Sequence, residues 1–205
     1  VSLVPSALAF ASAPAGRTRG VFVTCAATAL LVAASVTFGV LRLRTADAGV
    51  ETVFGLAAID DAIGLQATPA YVATHRAAYA AHVGALATQG ATLVLLPEKL
   101  AVTGPAAAAD WQRWFGGLAA AHRVWLLGSV TIDDGGPPEN RAWLFDPRGA
   151  LTTAFLKHHL APPERHYRTG STFAVQPIAP LTYGIGICKD MHFARFGRAY
   201  GQRGV

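Results

Sequence analysis

Val21 to Leu41 runs without one charged residue, bracketed by Arg17 and Arg19 before it and by Arg42 and Arg44 after it. About 20 predominantly apolar residues suffice to cross the hydrocarbon core of a bilayer, and a helix buried in a soluble core is usually shorter. The run therefore predicts a membrane-spanning helix at about residues 21–41. A signal peptide is the alternative, and Thr45-Ala46-Asp47-Ala48 supplies a small-residue cleavage pattern. Against it, Arg42 and Arg44 would lie between the apolar core and the cut. Arginine pairs on both flanks leave the orientation open. Val1 to Gly16, apolar and carrying Pro5 and Pro14, reads as the tail of another hydrophobic element. Residues 1–50 are thus expected to be a membrane segment, and residues 51–205 a separate domain.

This division accounts for a charged fraction of only 14%, where about 25% is usual for a soluble domain. The formal net charge is +5, but the arginines are scattered, without a dense basic run or interleaved aromatics. Basic flanks on a membrane protein explain the charge, and no nucleic-acid partner is expected. The two cysteines lie in unlike settings. Cys25 is inside the apolar run, where an inert packing thiol is the expectation, and no disulfide to Cys188 is foreseen.

From Glu51 the pattern changes to alternating short apolar runs and helical stretches. Glu51 to Ala58 reads as a strand. Thr68-Pro69 caps a helix that Gln89-Gly90 closes. Ala91 to Leu96 is a continuous apolar run, as in a strand buried on both faces. Asp110 is read as the cap of a second helix reaching His122, and Val124 to Ile132 as a strand. Arg141 to Phe145 and Leu151 to Leu156 follow as strands across an Asp146-Pro147-Arg148-Gly149 turn. His158 to Thr169 is loop-like, Thr172 to Gln176 and Leu181 to Ile187 are strands, and Met191 to Gln202 is a helix. The order predicts an α/β layered domain with a mixed sheet.

Three of these runs end in a reactive side chain: ATLVLLPE in Glu98, ALTTAFLK in Lys157 and LTYGIGIC in Cys188. In open α/β sheets the C-terminal rim of the strands is where ligands bind. Glycines before Cys188 allow a sharp turn and close backbone approach, and a nearby cation would favour the reactive thiolate. A desolvated Glu98 is suited to accept a thiol proton. An ammonium at Lys157 could hold an oxyanion. Taken singly, each residue has an ordinary reading: a buried structural cysteine, a solvated loop glutamate, a surface lysine. The histidines form no metal-ligand spacing, no phosphate-binding glycine loop is present, and neither metal nor cofactor is expected. Trp111, Trp114, Trp125 and Trp143 read as packing residues.

The ordered series LLPE, LKHHL-A-P and GIGICKD resembles the Glu–Lys–Cys signature of the nitrilase, or carbon–nitrogen hydrolase, superfamily. Asn140 opening a strand and the D-P-R-G turn fit the same pattern. The resemblance implies a four-layer αββα sandwich, C-terminally incomplete here and preceded by a transmembrane helix, because the family continues into further strands where this chain stops. It also implies a thioester mechanism, with Cys188 as nucleophile, Glu98 as general base and Lys157 as oxyanion stabiliser assisted by the backbone N–H of Lys189. Glu164, in APPER, is the candidate for the family's second glutamate. Within the superfamily the apolar span and the K-H-H-L-x-P run look most like apolipoprotein N-acyltransferase, although Lys189 and Asp190 stand where that family has Tyr and Glu. The partners so implied are a membrane lipid and a lipoprotein substrate, with the catalytic domain outside the cytoplasm. The alternatives are a membrane-tethered hydrolase of a small amide or nitrile, and a catalytically dead scaffold.

Overall fold

The computed structural model describes residues 18–44 and 51–205. The apolar segment Val1 to Gly16 and the small-residue pattern at Thr45–Ala48 lie outside the described residues. Helix α1 spans Thr18–Arg44. Its 23-residue stretch Phe22–Arg44 is long and apolar enough to cross a membrane, and at 1.5 Å per residue it reaches about 35 Å. Phe22, Leu30, Leu31, Val36 and Phe38 are all exposed along it. Three of its hydroxyls donate within the helix: Thr24 Oγ1 to the Gly20 carbonyl, Thr28 Oγ1 to that of Thr24 and Ser35 Oγ to that of Leu31. By length and composition this helix fits either a membrane span or a signal sequence, both of which place apolar side chains in lipid.

Residues 51–205 form a second unit. A mixed sheet carries strands β1 (Phe54–Leu56), β2 (Leu93–Leu95), β3 (Ala101–Thr103), β4 (Trp125–Ile132), β5 (Glu139–Phe145) and β6 (Leu151–Leu156). Its order is β1-β2-β4-β5-β6, with β3 also pairing β4. The first four strands run parallel, while β5 and β6 return antiparallel. Helices α2 (Pro69–Thr88) and α3 (Pro105–His122) supply the crossovers that parallel pairing requires.

Side-chain alternation along the strands divides the core in two. Val94, Leu126, Trp143 and Phe145 pack with Tyr79 and Val83 of α2 and Trp111 and Phe115 of α3. Leu93, Ala142, Leu144 and Phe155 point to the other face, towards Ile178, Ile185, Phe196 and Tyr200. That second layer is a two-stranded sheet, β7 (Val175–Ile178) with β8 (Leu181–Gly184), closed by helix α4 (Ala194–Gly201). The period of two in a strand is what lets one sheet serve two cores.

Several elements differ from the sequence reading. Helix α3 starts at Pro105, with Gly104 as N-cap, so Asp110 is no cap. It sits mid-helix and accepts hydrogen bonds from Arg76 at 2.7 Å and Arg113 at 3.4 Å. Pro105 presets the first helical φ and the alanines after it propagate the helix, which outweighs the capping preference of Asp. Strand β3 has no counterpart in the sequence reading, because three residues after a Pro-Glu-Lys interruption show no run of their own. The helix expected over Met191 to Gln202 is split into a 3-10 turn, Cys188–His192, and α4, with Phe193 extended between them. Asp190 causes the break by capturing the Ile187 N–H with its side chain.

Candidate active site

β2 and β3 lie end to end along the same edge of β4. Leu95 pairs with Leu127, and pairing resumes at Ala101 with Val130. The Leu96 N–H donates to the Leu127 carbonyl and the Leu100 N–H to that of Ser129, so Pro97-Glu98-Lys99 loops out opposite Gly128. Pro97 has no N–H for the ladder, and Lys99 takes a positive φ of 53°. Glu98 is therefore lifted out of the sheet at the end of β2.

Lys157 follows β6 directly and donates its backbone N–H to the Asn140 carbonyl. It is only 1% exposed. Its Nζ donates to Glu98 Oε1 at 2.7 Å and to Glu164 Oε2 at 2.6 Å. An ammonium has three N–H groups, so one remains for a substrate oxygen. Glu98 Oε1 also accepts from Asn140 Nδ2 at 2.7 Å. Its Oε2 has no hydrogen-bond partner among the described residues, and the side chain is 26% accessible. A carboxylate with one anchored and one open oxygen is suited to taking a proton from a neighbouring acid.

Glu164 lies in the 3-10 turn Pro162–Glu164 and is buried. Its Oε1 accepts from Lys99 Nζ at 2.8 Å and Asn140 Nδ2 at 3.2 Å. Its Oε2 accepts from Lys157 and from the Ala161 N–H at 3.0 Å. Burial pushes the Glu164 carboxyl upward, but hydrogen bonds from Lys157, Lys99 and Ala161 and the Lys157 charge outweigh it, holding the group down at about 2. Burial likewise works against the Lys157 ammonium, yet Glu164 and Glu98 raise its pKa above the ordinary lysine value.

These shifts fix an acid response. Glu164 binds its proton less readily folded than unfolded, so its stabilisation is present above the ordinary 4.5 and is lost as pH falls towards about 2. The linkage amounts to about 3 kcal/mol. Denaturant unfolding between pH 5 and pH 2 is expected to show this loss, and Glu164→Gln to lack that part of the slope. A wild-type stability that is flat across this window contradicts the ion-paired carboxylate.

Cys188 is exposed and adopts a positive φ of 44°. Such a conformation strains a non-glycine residue, and strain of this kind clusters at active sites. Of the two roles expected of the glycines before it, close approach is the one in use, since neither Gly184 nor Gly186 has positive φ. A Cβ on Gly184 would lie 2.5 Å from the Tyr200 ring, so α4 packs directly on the strand that leads to Cys188.

Asp190 ties this loop to the Lys157 segment. It is fully buried and accepts from the Ile187 N–H at 3.0 Å, the His159 N–H at 2.7 Å and His159 Nδ1 at 2.9 Å. The His159 ring stacks on Phe193 with centroids 4.0 Å apart. Two residues beyond Lys157 thus meet two residues beyond Cys188. Gly170 completes the support, donating its N–H to the Lys157 carbonyl, and a Cβ there would lie 2.2 Å from the Leu156 oxygen.

The structure therefore gathers Glu98, Lys157 and Glu164 into one hydrogen-bonded cluster, and joins the Cys188–Lys189 turn to it through Asp190 and His159. Sequence reasoning missed Lys99, Asn140, His159 and Asp190 as members. Lys99, His159 and Asp190 lie within two positions of Glu98, Lys157 or Cys188, which was the available signal, whereas Asn140, read only as opening a strand, is distant from all three. Among the described residues no group of three or more His, Cys, Asp or Glu is arranged to hold a metal ion.

No family model matches the chain. Over 140 residues it is 29% identical to omega-amidase NIT2 of Homo sapiens, covering 58% of this chain and 50% of that protein. Over 138 residues it is also 29% identical to the Mus musculus omega-amidase NIT2. The chain thus spans about half the length of the curated relatives it matches. A crystal structure of an amidase from Nesterenkonia sp. superposes with a TM-score of 0.60 at 18% identity, over 78% of this chain and 65% of that one. A mutant of the Nesterenkonia sp. AN1 amidase, carrying the acetamide moiety of fluoroacetamide at its active site cysteine, gives 0.62 at 21% identity over 77% and 63%. The fold is the nitrilase fold. In sequence the chain is similar to the omega-amidases, and in fold to the Nesterenkonia amidases of the nitrilase superfamily.

Proposed function

We propose that this chain carries the reaction centre of a thiol amidase, which cleaves a C–N bond through an acyl thioester on Cys188. The observation that carries this reading is the buried Glu98–Lys157–Glu164 cluster, with one carboxylate oxygen and one ammonium N–H still open, tied to the strained Cys188 turn. Cys188 Sγ attacks the amide carbonyl carbon as its proton passes to Glu98 Oε2. The oxyanion accepts from the third Lys157 N–H and the backbone N–H of Lys189, donors placed where charge develops. Collapse breaks the C–N bond, and Glu98 returns the proton to the leaving amine. Water then attacks the thioester as its proton passes to Glu98, the C–S bond breaks, and Glu98 returns that proton to the leaving thiolate, releasing the acid and the thiol. The amidase activity named for the relatives supports an amide as substrate.

A second reading keeps the same thioester and changes the acceptor. Helix α1, with its exposed apolar side chains, supports a membrane-anchored N-acyltransferase that takes an acyl group from a lipid ester and passes it to an amine. The catalytic unit would then stand on the extracytoplasmic side.

Intact-mass analysis of the full chain decides between them. With short aliphatic amides, an acyl adduct on Cys188 and ammonia release are expected, and Cys188→Ala should show neither. Acyl transfer from phospholipid vesicles to a peptide amine, without amide hydrolysis, would favour the second reading. Unchanged turnover in Cys188→Ala would overturn both.

A further inference from the structure

Lys99 has no part in the three-residue scheme, yet its ammonium reaches the same buried carboxylate as Lys157. Lys99 and Lys157 approach opposite oxygens of Glu164, at 2.8 and 2.6 Å. Asn140 bridges Glu164 and Glu98 with one amide nitrogen. The order Lys99–Glu164–Lys157–Glu98 is therefore an alternating chain of two cations and two anions. The other groups facing it are the Ser129 hydroxyl, which donates to Asn140 Oδ1, the Ala161 N–H on Glu164, and the Tyr167 ring 5.8 Å from Lys99 Nζ. The Lys99 backbone is held as well: its N–H donates to Ser129 Oγ, and its positive φ turns the residue back over the sheet edge.

We propose that Lys99 is a positioning residue of the acyl-transfer site, pinning Glu164 against Lys157 and setting the net charge of the cluster that Cys188 meets. The inference rests on reading Glu98 as the base and Cys188 as the nucleophile. With Lys99 present the four charges sum to zero, and transfer of the thiol proton to Glu98 leaves the cluster at +1. Without it the cluster starts at −1 and ends neutral, so neither the thiolate nor the later oxyanion meets a net positive charge. A nearby cation favours the anionic form of a neighbouring acid, typically by one pKa unit or more at close range. Loss of Lys99 therefore shifts proton release at Cys188 to higher pH.

The test is the pH dependence of Cys188 alkylation by iodoacetamide, measured on the full chain in a Cys25→Ser background. Lys99→Met is expected to move the curve upward by about one pH unit, a roughly tenfold slower reaction on the acid side. Lys99→Arg, which keeps the charge, should restore it. A Lys99→Met curve that superimposes on the parent overturns the inference. So does a Lys99→Arg curve that matches Lys99→Met, because charge would then not be the property that matters. Thermal unfolding of both variants separates a lost fold from a shifted titration: a lower midpoint with an unmoved curve marks a structural ion pair only and also overturns the inference. Glu98→Gln distinguishes the underlying reading. If it leaves the curve unmoved, Glu98 is not the proton acceptor. If it moves the curve while Lys99→Met does not, only the role of Lys99 fails.

Discussion

Lys157→Met is expected to abolish turnover and to lower the unfolding free energy by about 3–5 kcal/mol at neutral pH. Lys157 is enclosed at 1% exposure and donates to both Glu98 and Glu164. Methionine fills a similar volume but leaves two carboxylates facing each other with Asn140, Lys99 and the Ala161 N–H to compensate. Removing one partner of a buried pair costs far more than the pair contributes, because an uncompensated charge stays behind. The pH response distinguishes this from a packing defect. In the variant two neighbouring carboxylates share one cation, Lys99, so the pair binds a proton more readily folded than unfolded, and stability rises as the pH is lowered from 7 to 5. Wild-type stability over that range takes no such gain from Glu164, whose carboxyl is held at about 2. Denaturant titrations of both proteins at pH 7 and 5 provide the measurement. Equal midpoints at pH 7 would mean that the three-way pairing is not formed. In the proposed mechanism, loss of an oxyanion donor alone would lower the rate by roughly two to three orders of magnitude, with the displaced Glu98 adding to it.

Asp190→Ala ranks second in size. Its carboxylate serves three donors: Ile187 N–H in the nucleophile loop, and the backbone N–H and Nδ1 of His159 beside Lys157. Alanine leaves those groups without partners in an enclosed place, at about 1–3 kcal/mol for each donor that stays buried. The sharper consequence is kinetic. Cys188 stands at φ 44°, in a strained conformation that persists only while its surroundings hold it. Without Asp190 the turn relaxes and the thiol is no longer held in this conformation. A fall in kcat of at least about a hundredfold is expected, as for a misplacement of about 1 Å at a reacting centre. Asp190→Asn keeps the shape and two acceptor lone pairs, so it should retain much of the stability. If Asp190→Ala alkylates at Cys188 and turns over like the parent protein, the loop is held by something else.

Much of this was legible in the chain. The run Ala91 to Leu96 contains β2 because continuous apolar β-type residues suit a strand with both faces covered. Thr68-Pro69 opens α2 where the capping oxygen accepts from the Tyr71 N–H. The D-P-R-G turn closes on Asp146, which accepts from Arg148 and Ala150 N–H groups. These signals are local and act within a few residues. What escaped reading was non-local or contrary to propensity. β3 exists because β4 offers a free edge beyond Ser129, which no property of Ala101–Thr103 announces. Lys99 was one of three lysines, and its place beside Glu98 gave no hint that Glu164, 65 positions downstream, would be its partner.

The sequence by itself determined the alternation of strands and helices, the charge-free stretch of α1, and the placement of Glu98, Lys157 and Cys188 at the ends of apolar runs. Those follow from side-chain periodicity and from the lengths that strands, helices and bilayers impose. Only the tertiary structure decided which charges face which. Glu98, Asn140, Lys157 and Glu164 come from four separate segments, and Asp190 from a fifth. Whether a carboxylate is a solvated loop residue or part of a buried ion network depends on burial and on partners distant in sequence. The charge-free stretch specifies a helix; the enclosed cluster specifies the chemistry.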